Sequence, residues 1–368
     1  MTTITKSHEL TNPQKETIIA FSFALAAAIL VKIPTLFGLE LDGNDGFYFR
    51  NMSLFVLPLL TGYFAYKRQL KTSTILWLSV AFVVAVVFAN VYPFTHGNDT
   101  EVLLALHLPI ALWLMVGIAY AGGEWGQVNG RMDFIRFSGE LFIYYVLIAL
   151  GGIVLTGTMA IIFQTISIDI EPLFEQWVLC GVVGAVIIAA WLVDIKKGVV
   201  ENLAPMLARL FSPLFAIVLI TFLGTLLFTG RGIEIERDVL IAFDMLLVVV
   251  ICLLLYSISA RDSQSPPGIF DYIQVMLVIS ALLADVIALW AISQRITDLG
   301  FTPNRVVALG FNLILLVNLA WSAFLYIRFL RGHASFSLLE KWQTDYLPVY
   351  AVWAAIVVII IPPLFGFA

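Results

Sequence analysis

Apolar runs about as long as a bilayer is thick recur along this chain, and the polar connections between them are short. A helix needs about 20 apolar residues to cross the hydrocarbon core. Windows of that kind fall at 17–39, 51–66, 72–92, 102–121, 140–164, 174–193, 207–229, 238–256, 269–292, 306–329 and 347–365. The runs are continuous rather than alternating, which argues against a transmembrane β-barrel. Of the 368 residues, 61% are hydrophobic and 12% charged, whereas a soluble globular chain is about half apolar and about a quarter charged. No polar stretch is long enough to form a separate soluble domain. The sequence therefore predicts an all-α, polytopic transmembrane helix bundle of about 11 spans. Residues 1–16 form a cytoplasmic N-terminal segment and residues 17–368 a single transmembrane domain. The first apolar run exceeds the 7–15 residues of a signal-peptide core, so it reads as an uncleaved span.

Basic residues set the orientation, because cytoplasmic loops collect Lys and Arg. Lys6, Lys15, Lys67, Arg68, Lys71, Arg131, Arg136, Lys196, Lys197, Arg209, Arg261, Arg328, Arg331 and Lys341 fall on the side of the N-terminus. Arg50, Arg231, Arg237, Arg295 and Arg305 fall on the other, among acids such as Asp42, Asp45, Asp99 and Glu101. This predicts the N-terminus inside and the C-terminus outside. The longest connection, 122–139, ends in a basic amphipathic stretch, Arg131–Phe137, expected to lie along the inner membrane surface. The net charge of −5 gives no basic surface for nucleic acid.

Familiar catalytic signatures are missing: no phosphate loop, dinucleotide fingerprint, paired-His zinc helix or serine elbow. His8, His96, His107 and His333 are scattered, and Cys180 and Cys252 lie inside apolar runs without ligand spacing. The sequence thus implies no metal and no cofactor, and points away from an enzyme.

Four ionisable groups lie inside spans: Lys32, His107, Asp244 and Asp285. Such groups face a bundle interior or a water-filled cavity. With a rise of 1.5 Å per residue, all four fall about 8–10 Å below the outer ends of their predicted spans, and Asn312 joins the same layer. The expectation is an outward-facing polar cavity lined by Lys32, His107, Asp244, Asp285 and Asn312. The alternative is a structural pair between Lys32 and one of the aspartates, or a Lys32 that snorkels. Asp271, Gln274, Val278, Ala281 and Asp285 recur at spacings of three and four, so they share one helical stripe, which faces protein or water. In the connection 293–305, Gly300 suits a turn, Thr302 an N-cap and Pro303 a first helical turn. Arg295 and Arg305 would then flank a positive helix end and form an outer anion site.

In this region Arg295-Ile296, Gly300-Phe301-Thr302, Arg305 and an apolar helix with Asn312 and Asn318 resemble the bacterial multi-pass proteins of the domain of unknown function 4153 family. The resemblance is best between Ile269 and Leu330. It implies a multi-pass protein of the bacterial inner (cytoplasmic) membrane, and no activity. Three functions stay open. One is a transporter or flippase-like carrier for a small or amphiphilic anion, with the lipid bilayer and that substrate as its partners. Another is a structural or regulatory subunit whose charges pair helices. The third is a membrane-embedded enzyme on lipid-linked substrates, with His107 and an aspartate as base and orienter.

Overall fold

A computed structural model describes residues 13–39, 46–165, 171–195, 200–229 and 237–368. Among them there is no strand. The helices are α1 (Pro13–Lys32), α2 (Phe47–Lys67), α3 (Thr72–Val91), α4 (Asp99–Tyr120), α5 (Val128–Thr165), α6 (Glu171–Ile195), α7 (Val200–Thr229), α8 (Arg237–Ser259), α9 (Ile269–Leu299), α10 (Pro303–Leu330), α11 (Ser337–Ile359) and the short α12 (Ile361–Leu364). Nine of those described, α1 and α3–α10, are long and apolar enough to cross a membrane. α2 and α11 fall short for visible reasons. α2 carries Arg50, Asn51, Ser53 and Thr61, and α11 spends its first turns on Glu340, Lys341, Gln343, Thr344 and Asp345.

Proline marks the ends of α1 and α11, whereas Pro58, Pro109 and Pro348 lie inside helices. α1 ends at Lys32 and tightens into a single 3-10 turn over Ile33–Phe37, because Pro34 at its start lacks the N–H that α-helix continuation requires. The last apolar run breaks at Ile360, ahead of Pro362 and Pro363.

Two helices organise the packing. α2 lies against α1, α3, α4 and α6, and buries Leu60, Tyr63 and Phe64. α9 lies against α7, α8 and α10, with Leu277, Val278, Ala281 and Ala288 buried. α11 joins the groups by packing on both α4 and α10. It approaches α10 where Gly310 faces Trp353 so closely that an added Cβ would lie 2.0 Å from the indole.

The connection 122–139 differs from expectation. Only its first part is a turn, with Gly122 and Gly123 at positive φ, and residues from Val128 onward are the opening turns of α5. The amphipathic face of Arg131–Phe137 is buried against protein instead of lying on the membrane. Phe137 stacks on Tyr120 at 4.5 Å, and Phe134 sits edge-on to Trp125 at 6.0 Å. A helix covering a bundle end has the same apolar periodicity as one lying on lipid, so the pattern alone does not separate them. At 38 residues, or about 57 Å, α5 then runs on as an exposed apolar helix through Ile153, Val154, Leu155 and Ile161.

Ion pairs tie the ends. At the end bearing Lys67, Arg131 and Arg261, hereafter the basic end, Lys67 bonds both Glu16 of α1 and Asp194 of α6. Arg68 lies 3.5 Å from the same Asp194. At the opposite end Arg50 bonds the fully buried Glu101, which also accepts from Gly97 N at 2.7 Å. The chain's last residues close over this corner: Thr100 N donates to Ala368 O at 3.0 Å, and Asn98 donates to Phe367 O at 3.0 Å.

Candidate functional site

The stripe expected on α9 exists, and all of it is buried: Asp271, Gln274, Val278, Ala281 and Asp285 are each no more than 4% exposed. Its polar members differ in how they are satisfied. Asp271 accepts from Arg261 Nε at 2.8 Å and Nη2 at 3.1 Å, and from Gly268 N at 2.8 Å. Gln274 donates to Ser212 Oγ of α7 at 2.8 Å and Ser257 Oγ of α8 at 3.2 Å. Asp285 has no exposed surface, and neither of its oxygens has a hydrogen-bond partner among the described residues.

Two further predicted residues lie at the level of Asp285. Asn312, on α10 and fully buried, donates its amide to Asp244 Oδ1 of α8 at 2.9 Å and to the Ala308 carbonyl at 2.8 Å. Asp244 is half-buried and lies within electrostatic reach of Asp285. One small apolar cluster sets the level of all three. It contains Leu240 and Phe243 of α8, Ala288 of α9 and Ala308 of α10, each within one helical turn of the respective polar residue. Because α9 continues to Leu299, past its predicted span, Asp285 lies about 21 Å from that helix end. The site is therefore near the middle of α9.

The other predicted residues stand elsewhere. Lys32 ends α1, which packs on α6 and α2. Its Nζ lies 5.1 Å from the centre of the Trp177 ring. No ion pair joins Lys32 to Asp244 or Asp285, whose helices belong to the α9 group. His107 of α4 is half-buried, with Nδ1 2.8 Å from the Leu103 carbonyl of its own helix. Arg295 lies half-buried in the last turns of α9.

The turn after α9 is built as its residues suggest. Gly300 has φ 76, Thr302 caps α10 by accepting from Arg305 N at 3.4 Å, and Pro303 opens the helix. Arg305 departs from the expected anion site. Its Nη1 donates to the carbonyls of Leu299 at 3.0 Å and Gly300 at 2.8 Å. A guanidinium there compensates unsatisfied carbonyls at the negative end of α9, so Arg305 serves the preceding helix instead of flanking the positive end of its own.

Sequence reasoning missed the Lys67–Glu16–Asp194 tie, the Arg131–Asp345 pair at 2.7 Å and the buried amide set of Asn318, Ser322 and Gln343. Charges near span ends were the available signal, but their partners lie far away in the chain.

Among the described residues, two cavities stand out at the flanks of the bundle. One of about 270 Å³ at the basic end is lined by Arg136, Glu140, Arg261 and Asp262, and one of about 320 Å³ between α2, α4, α5 and α6 is largely apolar. Neither reaches Asp285. No protein-family model, curated protein or solved structure matches the chain.

Proposed function

We propose that this chain is a multi-pass carrier of the bacterial inner membrane, with about eleven spans, its N-terminus inside and its C-terminus outside, and that it couples transport to ion exchange at Asp285. One observation carries the reading: the Asp285 carboxyl is fully buried and both of its oxygens lack a partner among the described residues. The contrast within the molecule gives this weight. Asp271, Glu101 and Asp194 each have a cationic partner, as buried charges that serve only structure require. An unpartnered carboxylate in an apolar setting is costly, and a carboxyl that gains and loses a proton is the simplest reason to keep one. The substrate expected from the sequence, a small or amphiphilic anion, remains part of the reading. Since Arg305 is committed to α9, however, the ion-coupling half has the stronger geometric support. The resemblance to the domain of unknown function 4153 proteins belongs to the same proposal and brings no activity with it.

The test is infrared difference spectroscopy of the carboxyl band between about pH 5 and 8, with Asp285→Asn as comparison. A carrier loses one titrating carboxyl in the variant and keeps its fold. If no carboxyl signal disappears with Asp285→Asn, Asp285 is not the coupling group.

A further inference from the structure

Asp285 and Asn312 leave buried oxygens that no described residue satisfies. Both Asp285 oxygens and Asn312 Oδ1 are buried acceptors without a donor among those residues. The amide orientation is not arbitrary. Its nitrogen faces two acceptors, Asp244 Oδ1 and the Ala308 carbonyl, so the flipped amide would set oxygen against oxygen at both contacts. Asn312 Oδ1 is therefore necessarily the open atom. Asp244 keeps its second oxygen beyond the bond from Asn312.

We propose that these three residues bind one dehydrated monovalent cation of sodium size, which exchanges with a proton on the carboxyl pair. The inference rests on the carrier reading above and specifies its coupling ion. All donors are hard oxygens, which select hard cations over zinc, copper or other soft-ligand metals. Four side-chain oxygens are on offer: two from Asp285, one from Asn312 and one from Asp244. Calcium takes six to eight oxygens, and magnesium keeps several waters in an octahedral shell. A site where Asp285 and Asn312 have no exposed surface provides neither that count nor that water. The charge also balances. Two carboxyls holding one proton and one monovalent cation are neutral, as are two carboxyls holding two protons. Sodium entering therefore displaces one proton: the carboxyl O–H bond breaks, its electron pair stays on oxygen, and the proton leaves.

Among the described residues, no ion pair reaches Asp285 or Asp244. On the helices packed against Asp285, α7 carries Glu201 and Arg209 toward the basic end, and α10 carries Arg305 and Arg328 near its two ends and Tyr326 one turn from the second. α8 carries Arg237 and Asp238 at its start, and Cys252 and Tyr256 toward the basic end. Along α9 itself, Asp271 is paired with Arg261, and Tyr272, Arg295 and Asp298 lie two or more turns away. Among the described residues, Asp244 acts electrostatically on Asp285.

The experiment uses the purified full chain in detergent, melted in sodium, lithium, potassium, calcium or choline chloride at matched ionic strength, at pH 8 and pH 5. Sodium and lithium should raise Tm saturably at pH 8 relative to choline, and the rise should shrink at pH 5, where protons hold the site. Asp285→Asn and Asn312→Leu should each abolish the sodium increment. A second readout needs no variant: sodium added to the parent at constant pH 7 should reduce the protonated-carboxyl infrared band. Equal melting in sodium and choline, with an unchanged band, overturns the proposal, as does stabilisation by calcium alone. If the band titrates with pH but ignores sodium, the cation inference fails and the carrier reading stands. If sodium raises Tm but no Asp285 band titrates, proton exchange fails as the coupling step and the site binds sodium without it.

Discussion

Asn312 of α10 donates its side-chain amide to Asp244 of α8 at 2.9 Å, in the same layer as a carboxyl that has no partner among the described residues. The bond joins residues 68 apart in sequence and is the one direct polar link within the candidate site. Removing it should be felt in stability. Asn312→Leu withdraws a donor from a half-buried carboxylate, and a hydrogen bond to a charged group is worth about 1.5–3 kcal/mol. Asp244→Asn in the same background removes the uncompensated charge and should recover part of the loss. The check is thermal unfolding of the two single variants and the double. Strictly additive losses would mean that the pair does not interact.

The tie at the basic end makes a sharper energetic prediction. Lys67 serves Glu16 and Asp194 at once, and its side chain is 19% exposed. Lys67→Met leaves two carboxylates facing each other, with Arg68 nearby among the described residues. Breaking a buried pair from one side costs about 3–5 kcal/mol, and residual exposure and Arg68 place this case at the low end. Lys67→Met with Asp194→Asn should be more stable than Lys67→Met alone. A double variant that melts lower than the single would show that Asp194 is held mainly by other contacts.

Each predicted span falls largely on a helix, and nine of the described helices are long and apolar enough to cross a membrane, because continuous apolar runs and charged connections are local signals that tertiary packing has little occasion to override. The α9 stripe was legible for the same reason: its spacing of three and four is a property of one helix. What could not be read is which helices touch. Glu16 and Lys67 are 51 residues apart, and Arg131 and Asp345 are 214 apart, so neither pairing leaves a local pattern. Equal depth placed Lys32 beside Asp244 and Asp285, but depth fixes one coordinate and leaves azimuth open. Lys32 fell on the α6 side. Arg305 was misassigned because helix N- and C-termini adjoin at a turn, and one side chain reaches either.

Orientation can be checked by labelling. The α2–α3 turn, with Lys67, Gln69 and Lys71, and the α3–α4 connection, with His96 and Asn98, are separated by the 20 residues of α3, about 30 Å. In a background lacking Cys180 and Cys252, cysteines placed at 96–98 should react with an impermeant maleimide added outside intact cells. Cysteines at 69 and 71 should stay protected until the cells are opened. The reverse pattern would place the N-terminus outside and move Asp285's nearer surface to the cytoplasm.

The last prediction is a pH dependence with a defined sign. Asp345 lies just before the apolar part of α11 and accepts from Arg131 at 2.7 Å and Lys341 at 3.0 Å. Burial works to raise its carboxyl, but these two hydrogen bonds and charges outweigh that and hold it below its ordinary value. A depressed folded-state value means that the pair contributes its full stability above the unfolded carboxylate range, about 3.9, and loses it as pH falls through the folded value. The side chain is 41% exposed, so the contribution is that of a screened surface pair, about 0.2–1 kcal/mol. Asp345→Asn should therefore lower Tm by a small, constant amount from pH 8 to about pH 5. The difference between parent and variant should close only below about pH 4. Raising the salt should narrow it at neutral pH, as screening requires. A difference that widens toward acid would mean that Asp345 is favoured in its protonated form and that Arg131 is held in place by other groups.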